Sequence, residues 1–207
     1  MVNACIAILC GYLLGSIPSA YIAAQLKRKI DIRHVGSKNM GAMNVLYEVG
    51  PGAAILVLLA DIGKGIGAIL IARYLLGVPL PLQLLTGLAT VIGHMFPVFL
   101  KFRGGKGGAT AMGVLLCLMP RAVPFFLAVA AIALLTTRNI SFCYSVAFIC
   151  LPFAAWLIYH SMPMIIFSMV LPALVGVRHI NTVKSMRLAT GGNWRKVIFR
   201  SSLKERI

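Results

Sequence analysis

Apolar runs recur along this chain from end to end, at about residues 3–25, 51–76, 82–100, 107–120, 122–137, 140–159 and 163–177, each bounded by basic residues, Pro or Gly. Nothing else in the sequence constrains the fold as strongly. With 60% of the residues hydrophobic and 12% charged, there is too little polar surface to clothe a water-soluble core, so lipid must cover the runs. The sequence therefore predicts an all-α membrane protein, a polytopic bundle of about seven transmembrane helices. Several runs, 107–120 above all, are shorter than the roughly 20 residues a full crossing takes. Tilt, local thinning or a protein-lined cavity has to accommodate them. Prolines such as Pro18, Pro97, Pro152 and Pro172 within or beside the runs are tolerable where a neighbouring helix satisfies the freed carbonyl.

Charge sets the expected orientation. The chain carries 20 Lys and Arg against four acids, Asp31, Glu48, Asp61 and Glu205, for a formal charge of +16. Nucleic acid is the first anionic partner to consider for so basic a chain, but no soluble recognition domain is present, and no nucleic acid is expected. Seventeen of the 20 basic residues fall on one side of a seven-span topology, and Arg73 and Arg121 on the other. The positive-inside rule then places the N-terminus of this multi-pass membrane protein outside and its C-terminus in the cytoplasm. Residues 1–207 read as a single membrane-embedded domain, with cytoplasmic loops at 26–50 and 101–106 and a cytoplasmic tail at 178–207. The segment Met1–Asn3 lacks a positive n-region, so the first run is expected to stay as a helix. The five cysteines lie inside apolar runs without CxxC spacing and read as buried hydrophobes.

Three segments on the basic side carry polar residues that lipid does not explain. Gly36-Ser37-Lys38-Asn39-Met40-Gly41-Ala42-Met43-Asn44 combines flexible backbone with amide, hydroxyl and ammonium donors, which suits an anion cradle and equally a turn. Gly93-His94 through Arg103-Gly104-Gly105-Lys106-Gly107-Gly108-Ala109-Thr110 is more specific. Two cations flank a backbone almost bare of side chains just before a helix, so N–H groups and Lys106 would converge on a phosphate; the other reading is a flexible basic connection. It is not a Walker A loop, because the GxxxxGK[ST] spacing is absent. Arg178-His179-Ile180-Asn181 lies where the last helix exits and also suits a headgroup anchor. Within the second run, Asp61 and Lys64 share a helix face and can pair, structurally or functionally. His160 reads as an interface residue. No histidine pair has metal-ligand spacing with a carboxylate, so no metal and no cofactor is expected, and no Ser-His-Asp set can be named.

Taken together, these segments resemble the membrane-embedded, acyl-phosphate-dependent glycerol-3-phosphate acyltransferases of bacteria, the PlsY type. Gly15-Ser-Ile-Pro18-Ser-Ala-Tyr21 resembles that family's first helix, 36–44 its GSxNxGAxN motif, Asp61-Ile-Gly-Lys64-Gly65 its DxxKG element, and 93–110 its GHxFPxxxxFxGGKGxAT signature. The resemblance implies seven helices, an external N-terminus, and transfer of a fatty acyl group from acyl phosphate to glycerol 3-phosphate, giving lysophosphatidic acid and phosphate. It implies that Ser37, Asn39 and Asn44 line the pocket, that Lys106 with the amides of Gly104, Gly105, Gly107 and Gly108 holds a phosphate beside Arg103, that His94 buttresses the loop, and that His179 and Asn181 complete the site. Ser37, Lys106 and His179 are the expected catalytic residues, acting in a monomer among membrane lipids. The chain departs from the pattern at Lys38, Met43 and Tyr47, where the family usually has Gly, Thr and Arg, and Lys38 is a candidate for the missing charge. The His-x4-Asp pattern of acyltransferases that use acyl-CoA or acyl carrier protein is absent. A phospholipid- or phosphate-binding relative without activity, and a small anion transporter, would use similar loops; the transporter also needs a polar path to the outer side, which is nearly bare.

Overall fold

The computed structural model describes residues 1–198, apart from the side chains of 141, 179, 181, 182, 185, 186, 189, 195 and 196. The described residues are helical and loop segments with no strand. They divide into two compact units, Met1–Leu118 and the part from Met119 onward.

In the first unit, helices α1 (Val2–Ser16) and α2 (Ser19–Arg28) are one apolar run interrupted at Ile17 and Pro18. The ammonium of Lys64 donates to the Ile17 carbonyl at 2.9 Å, so a neighbouring helix satisfies the oxygen exposed at the break, as burial in a membrane demands. Helix α3 (Ala42–Glu48) precedes α4 (Pro51–Leu70), which ends in a π-helical turn, Ile71–Leu75. Helix α5 (Leu80–Met95) is followed by a 3-10 turn (Val98–Leu100), the glycine-rich segment and α6 (Gly108–Leu118).

Small residues set how closely these helices pack. A Cβ at Gly15 would collide with the Thr90 backbone, and one at Gly113 with the Ile62 carbonyl, so α1 meets α5 and α4 meets α6 backbone to backbone. Helix α6 has 11 residues, or roughly 16 Å, about half the hydrocarbon thickness. It is tolerated because Thr110–Leu115 and Leu118 are buried in protein rather than facing lipid. At the far end of this unit Arg73 donates to the Gln83 side chain and to the Cys117 carbonyl, both at 3.0 Å, closing α4, α5 and α6 together.

The second unit contains α7 (Val123–Thr137), α8 (Ile140–Tyr159), α9 (Met162–Ala189) and α10 (Trp194–Ile198). Phe126 packs edge-on against Tyr144 and Phe148. Asn139 caps α8 by accepting from the Phe142 N–H at 3.2 Å and donates to the Val197 carbonyl at 2.8 Å, which ties α10 to the α7–α8 turn.

Among the described residues, five helical stretches are long and apolar enough to cross a membrane, and Gly108–Leu118 and Met162–Arg178 are shorter apolar helices. Two segments between or after the spans carry more helix than the sequence suggests. The loop expected over 26–50 is partly helical, because α2 runs to Arg28 and α3 occupies Ala42–Glu48. The tail expected from 178 opens as helix, because the backbone of α9 continues to Ala189: no Gly or Pro interrupts the chain between Arg178 and Ala189, so the helix outlasts the apolar stretch that marked the span.

Candidate active site

The glycine-rich segment is built onto the end of α5. Gly104 and Gly105 donate their N–H groups to the carbonyls of Met95 and His94, each at 3.1 Å. A Cβ at Gly104 would run into the His94 carbonyl, and one at Gly105 into the His94 ring and the Met40 carbonyl. Two glycines are therefore required by contact, and their amides hold the loop down rather than waiting for an anion, which corrects half of the expected phosphate cradle. Gly107, at φ +86°, then turns the chain into α6, with its carbonyl accepting from Ala111 at 2.8 Å. The amides that remain for an anion are those of the first turn of α6, Gly108 to Thr110, which have no intrahelical acceptor. Lys106 stands half-buried between the two halves of this turn, and Arg103 is exposed at its entrance.

Beneath the loop lies a buried polar cluster. Asp61 is 1% exposed, Lys64 8% and His94 7%. Lys64 pairs with Asp61 at 2.8 Å, Ser19 donates to the same carboxylate, and His94 Nδ1 faces it at 3.6 Å. The i, i+3 pairing was legible in the sequence; the Ser19 and His94 contacts, which join α2, α4 and α5, were not. A cavity of about 10 Å³ adjoins Lys64, His94, Ser16 and Ser19, enough for one water molecule and far too small for substrate. The cluster is thus a foundation under the loop, with no room of its own for a substrate.

The first motif forms a tight loop around Asn44. Its side chain, 3% exposed, accepts from the Ser37 N–H at 3.0 Å and donates to the carbonyls of Ile32, Val35 and Asn39 at 3.1 to 3.2 Å. That engages its whole amide, so Asn44 shapes the loop instead of meeting a ligand. Ser37 and Lys38 are exposed as a result, and Asn39 is half-buried. Met40 carries the loop to Gly105, so the first and second motifs adjoin. Nearby, Asp31 is gripped by Arg33 at 2.6 Å, and the hydrogen-bonding guanidinium holds its carboxyl down at about 2. The side chains of His179 and Asn181 lie outside the described residues, and their backbone belongs to α9.

Residues 5–189 match the family model described as glycerol-3-phosphate acyltransferase. The chain belongs to that family. Among curated members, glycerol-3-phosphate acyltransferase 2 of Dehalococcoides mccartyi (strain CBDB1) is 44% identical over 98% of this chain and 96% of its own length. The glycerol-3-phosphate acyltransferase of Thermosynechococcus vestitus is 41% identical over 88% and 90%. Two solved structures of PlsY (YgiH), an integral membrane glycerol 3-phosphate acyltransferase, share the fold. The glycerol 3-phosphate form superposes with a TM-score of 0.83 at 36% identity, covering 92% of this chain and 94% of that one; the lysophosphatidic acid form gives 0.80 at 34%, covering 92% and 93%. The protein is accordingly a multi-pass membrane member of the acyltransferase family. Thr110 adds a residue whose role the sequence left open: wholly buried in the first turn of α6, its hydroxyl has no hydrogen-bond partner among the described residues.

Proposed function

We propose that this acyltransferase moves a fatty acyl group from acyl phosphate to a hydroxyl of glycerol 3-phosphate, giving lysophosphatidic acid and inorganic phosphate. The observation that carries the reading is the clamped loop, which sets Lys106 at the start of α6 beside unengaged helix amides, within a chain 36% identical to a PlsY in its glycerol 3-phosphate form. Both substrates bear phosphate, and a lysine with helix N-terminal amides is suited to one of them. Ser37, Lys38 and Asn39, on the adjoining exposed loop, and Arg103 serve the other, with His179 and Asn181 assigned by resemblance. The two units act as one acyltransferase domain in a monomer, with the N-terminus outside and the motif loops cytoplasmic.

In the reaction the acceptor hydroxyl oxygen attacks the acyl carbonyl carbon. The new ester C–O bond forms, the anhydride C–O bond breaks, and its electron pair leaves on phosphate. The acceptor proton ends on an oxygen of the departing phosphate, which leaves as hydrogen phosphate. Two of the described acids are poorly placed to take it: Asp31 is held at about 2 by Arg33, and Asp61 is engaged by Lys64 and Ser19 in the buried cluster. Lys106 and the α6 amides stabilise charge on the departing phosphate.

Purified protein in detergent, offered acyl phosphate and glycerol 3-phosphate, should release phosphate with matching lysophosphatidic acid, while acyl-CoA should not replace the donor. Turnover with acyl-CoA alone would overturn the donor assignment.

A further inference from the structure

Beside the site, at the ends of α2 and α5, lies an open pocket of about 420 Å³ lined by Arg33, His34, Phe99, Leu100, Lys101 and Arg103. Its floor is neutral and stiff. Arg33 grips Asp31 through Nε and NH2, reaches the Leu100 carbonyl at 3.4 Å and lies over the Tyr21 ring at 5.3 Å, so its charge is already matched. The rim carries the exposed cations Lys101 and Arg103, with the imidazole of His34 exposed beside them, 3.4 Å from the Asp31 carboxylate. The wall is apolar at Phe99 and Leu100, with Phe99 60% exposed; Phe102, 58% exposed, follows in the same turn outside the lining.

Backbone geometry holds this display in place. Lys101 and Phe102 both adopt left-handed conformations, φ 52° and 61°, which a lysine and a phenylalanine occupy at a cost. The N–H groups of Leu100 and Phe102 both donate to the Pro97 carbonyl, at 3.1 and 3.0 Å, so the turn is rigid while its aromatic and basic side chains stand outward.

We infer that this pocket is a binding site for the headgroup of an anionic membrane phospholipid. A free anion would gain little, since the pocket floor offers it no unmatched buried cation. A phospholipid carries its phosphate directly above ester and acyl groups, which fits a basic rim set over aromatic and aliphatic walls where spanning helices end. This goes beyond acyl transfer, and its readout requires no turnover.

The test uses the full chain in detergent with Trp156 and Trp194 replaced by Phe and Phe99→Trp as reporter, accepted on an unchanged melting temperature; if that falls, Phe102→Trp replaces it. Phosphatidylglycerol with brominated chains should quench the reporter saturably, at concentrations about fivefold or more below brominated phosphatidylcholine, the advantage expected for one or more rim cations. His34→Gln with Lys101→Gln should bring the two curves together. Equal quenching by both lipids in the reporter chain would overturn the site, and reversal of quenching by millimolar inorganic phosphate would make it a soluble-anion pocket instead.

Discussion

Gly105 donates its backbone N–H to the carbonyl oxygen of His94 at 3.1 Å, and that histidine's ring leaves no room for a side chain on the glycine. The glycine-rich loop is in this way seated on the last turn of α5, while the same imidazole faces Asp61 at 3.6 Å below. Gly105→Ala should therefore displace the loop by forcing it off His94 and Met40. A shift on the order of 1 Å at a positioned group costs about 10²-fold in rate. Turnover of a variant whose melting temperature is unchanged checks this.

Asp61→Asn leaves Lys64 as an unmatched ammonium among buried groups. The expected loss is about 3–5 kcal/mol of stability, because removing one member of a buried pair exposes the full desolvation cost of the other. Combining it with Lys64→Met should recover much of that loss. Thermal unfolding of the two single variants and the double variant gives the coupling directly, and additive losses would show that the pair is not interacting.

Thr110→Val replaces a buried, unpartnered hydroxyl with a methyl group of similar shape. Stability should hold or rise by about 1 kcal/mol, since an unsatisfied buried polar group is costly. A clear drop in melting temperature would show that the hydroxyl has a partner in the working protein.

Asp31 titrates at about 2 in the folded chain against an ordinary value of 3.8, so folding favours its charged form. The stability this supplies is complete above about pH 4 and is lost as pH falls toward 2. Hydrogen exchange of the 31–41 loop should accelerate across that acid window, and Asp31→Asn should flatten the dependence. Between pH 6 and 8 the same variant should show no new titration in turnover.

The membrane class, the helix positions and the 93–110 signature were legible because each is local: apolar length, breakers and a glycine pattern are written in consecutive residues. The Asp61–Lys64 pair was legible through helix periodicity. His94 facing Asp61 was not, since the two are brought together only by the packing of α4 against α5. Nor was the inward turn of Asn44: a polar residue in a polar motif reads as ligand-facing, and only the fold shows three backbone carbonyls waiting for its amide. Gly104 and Gly105 were expected to bare their amides; the carbonyls that take them come from the end of the preceding helix, to which the chain doubles back.

The most direct measurement is turnover of acyl phosphate and glycerol 3-phosphate by Lys106→Ala against the parent chain. The account predicts a loss of roughly 10²–10³-fold, about 2–4 kcal/mol of transition-state stabilisation, in protein of unchanged melting temperature. Lys106→Arg should restore only part of it, because the planar guanidinium needs space that the glycine-rich turn lacks. Normal turnover by well-folded Lys106→Ala would contradict the account and leave the segment as a basic connection between α5 and α6.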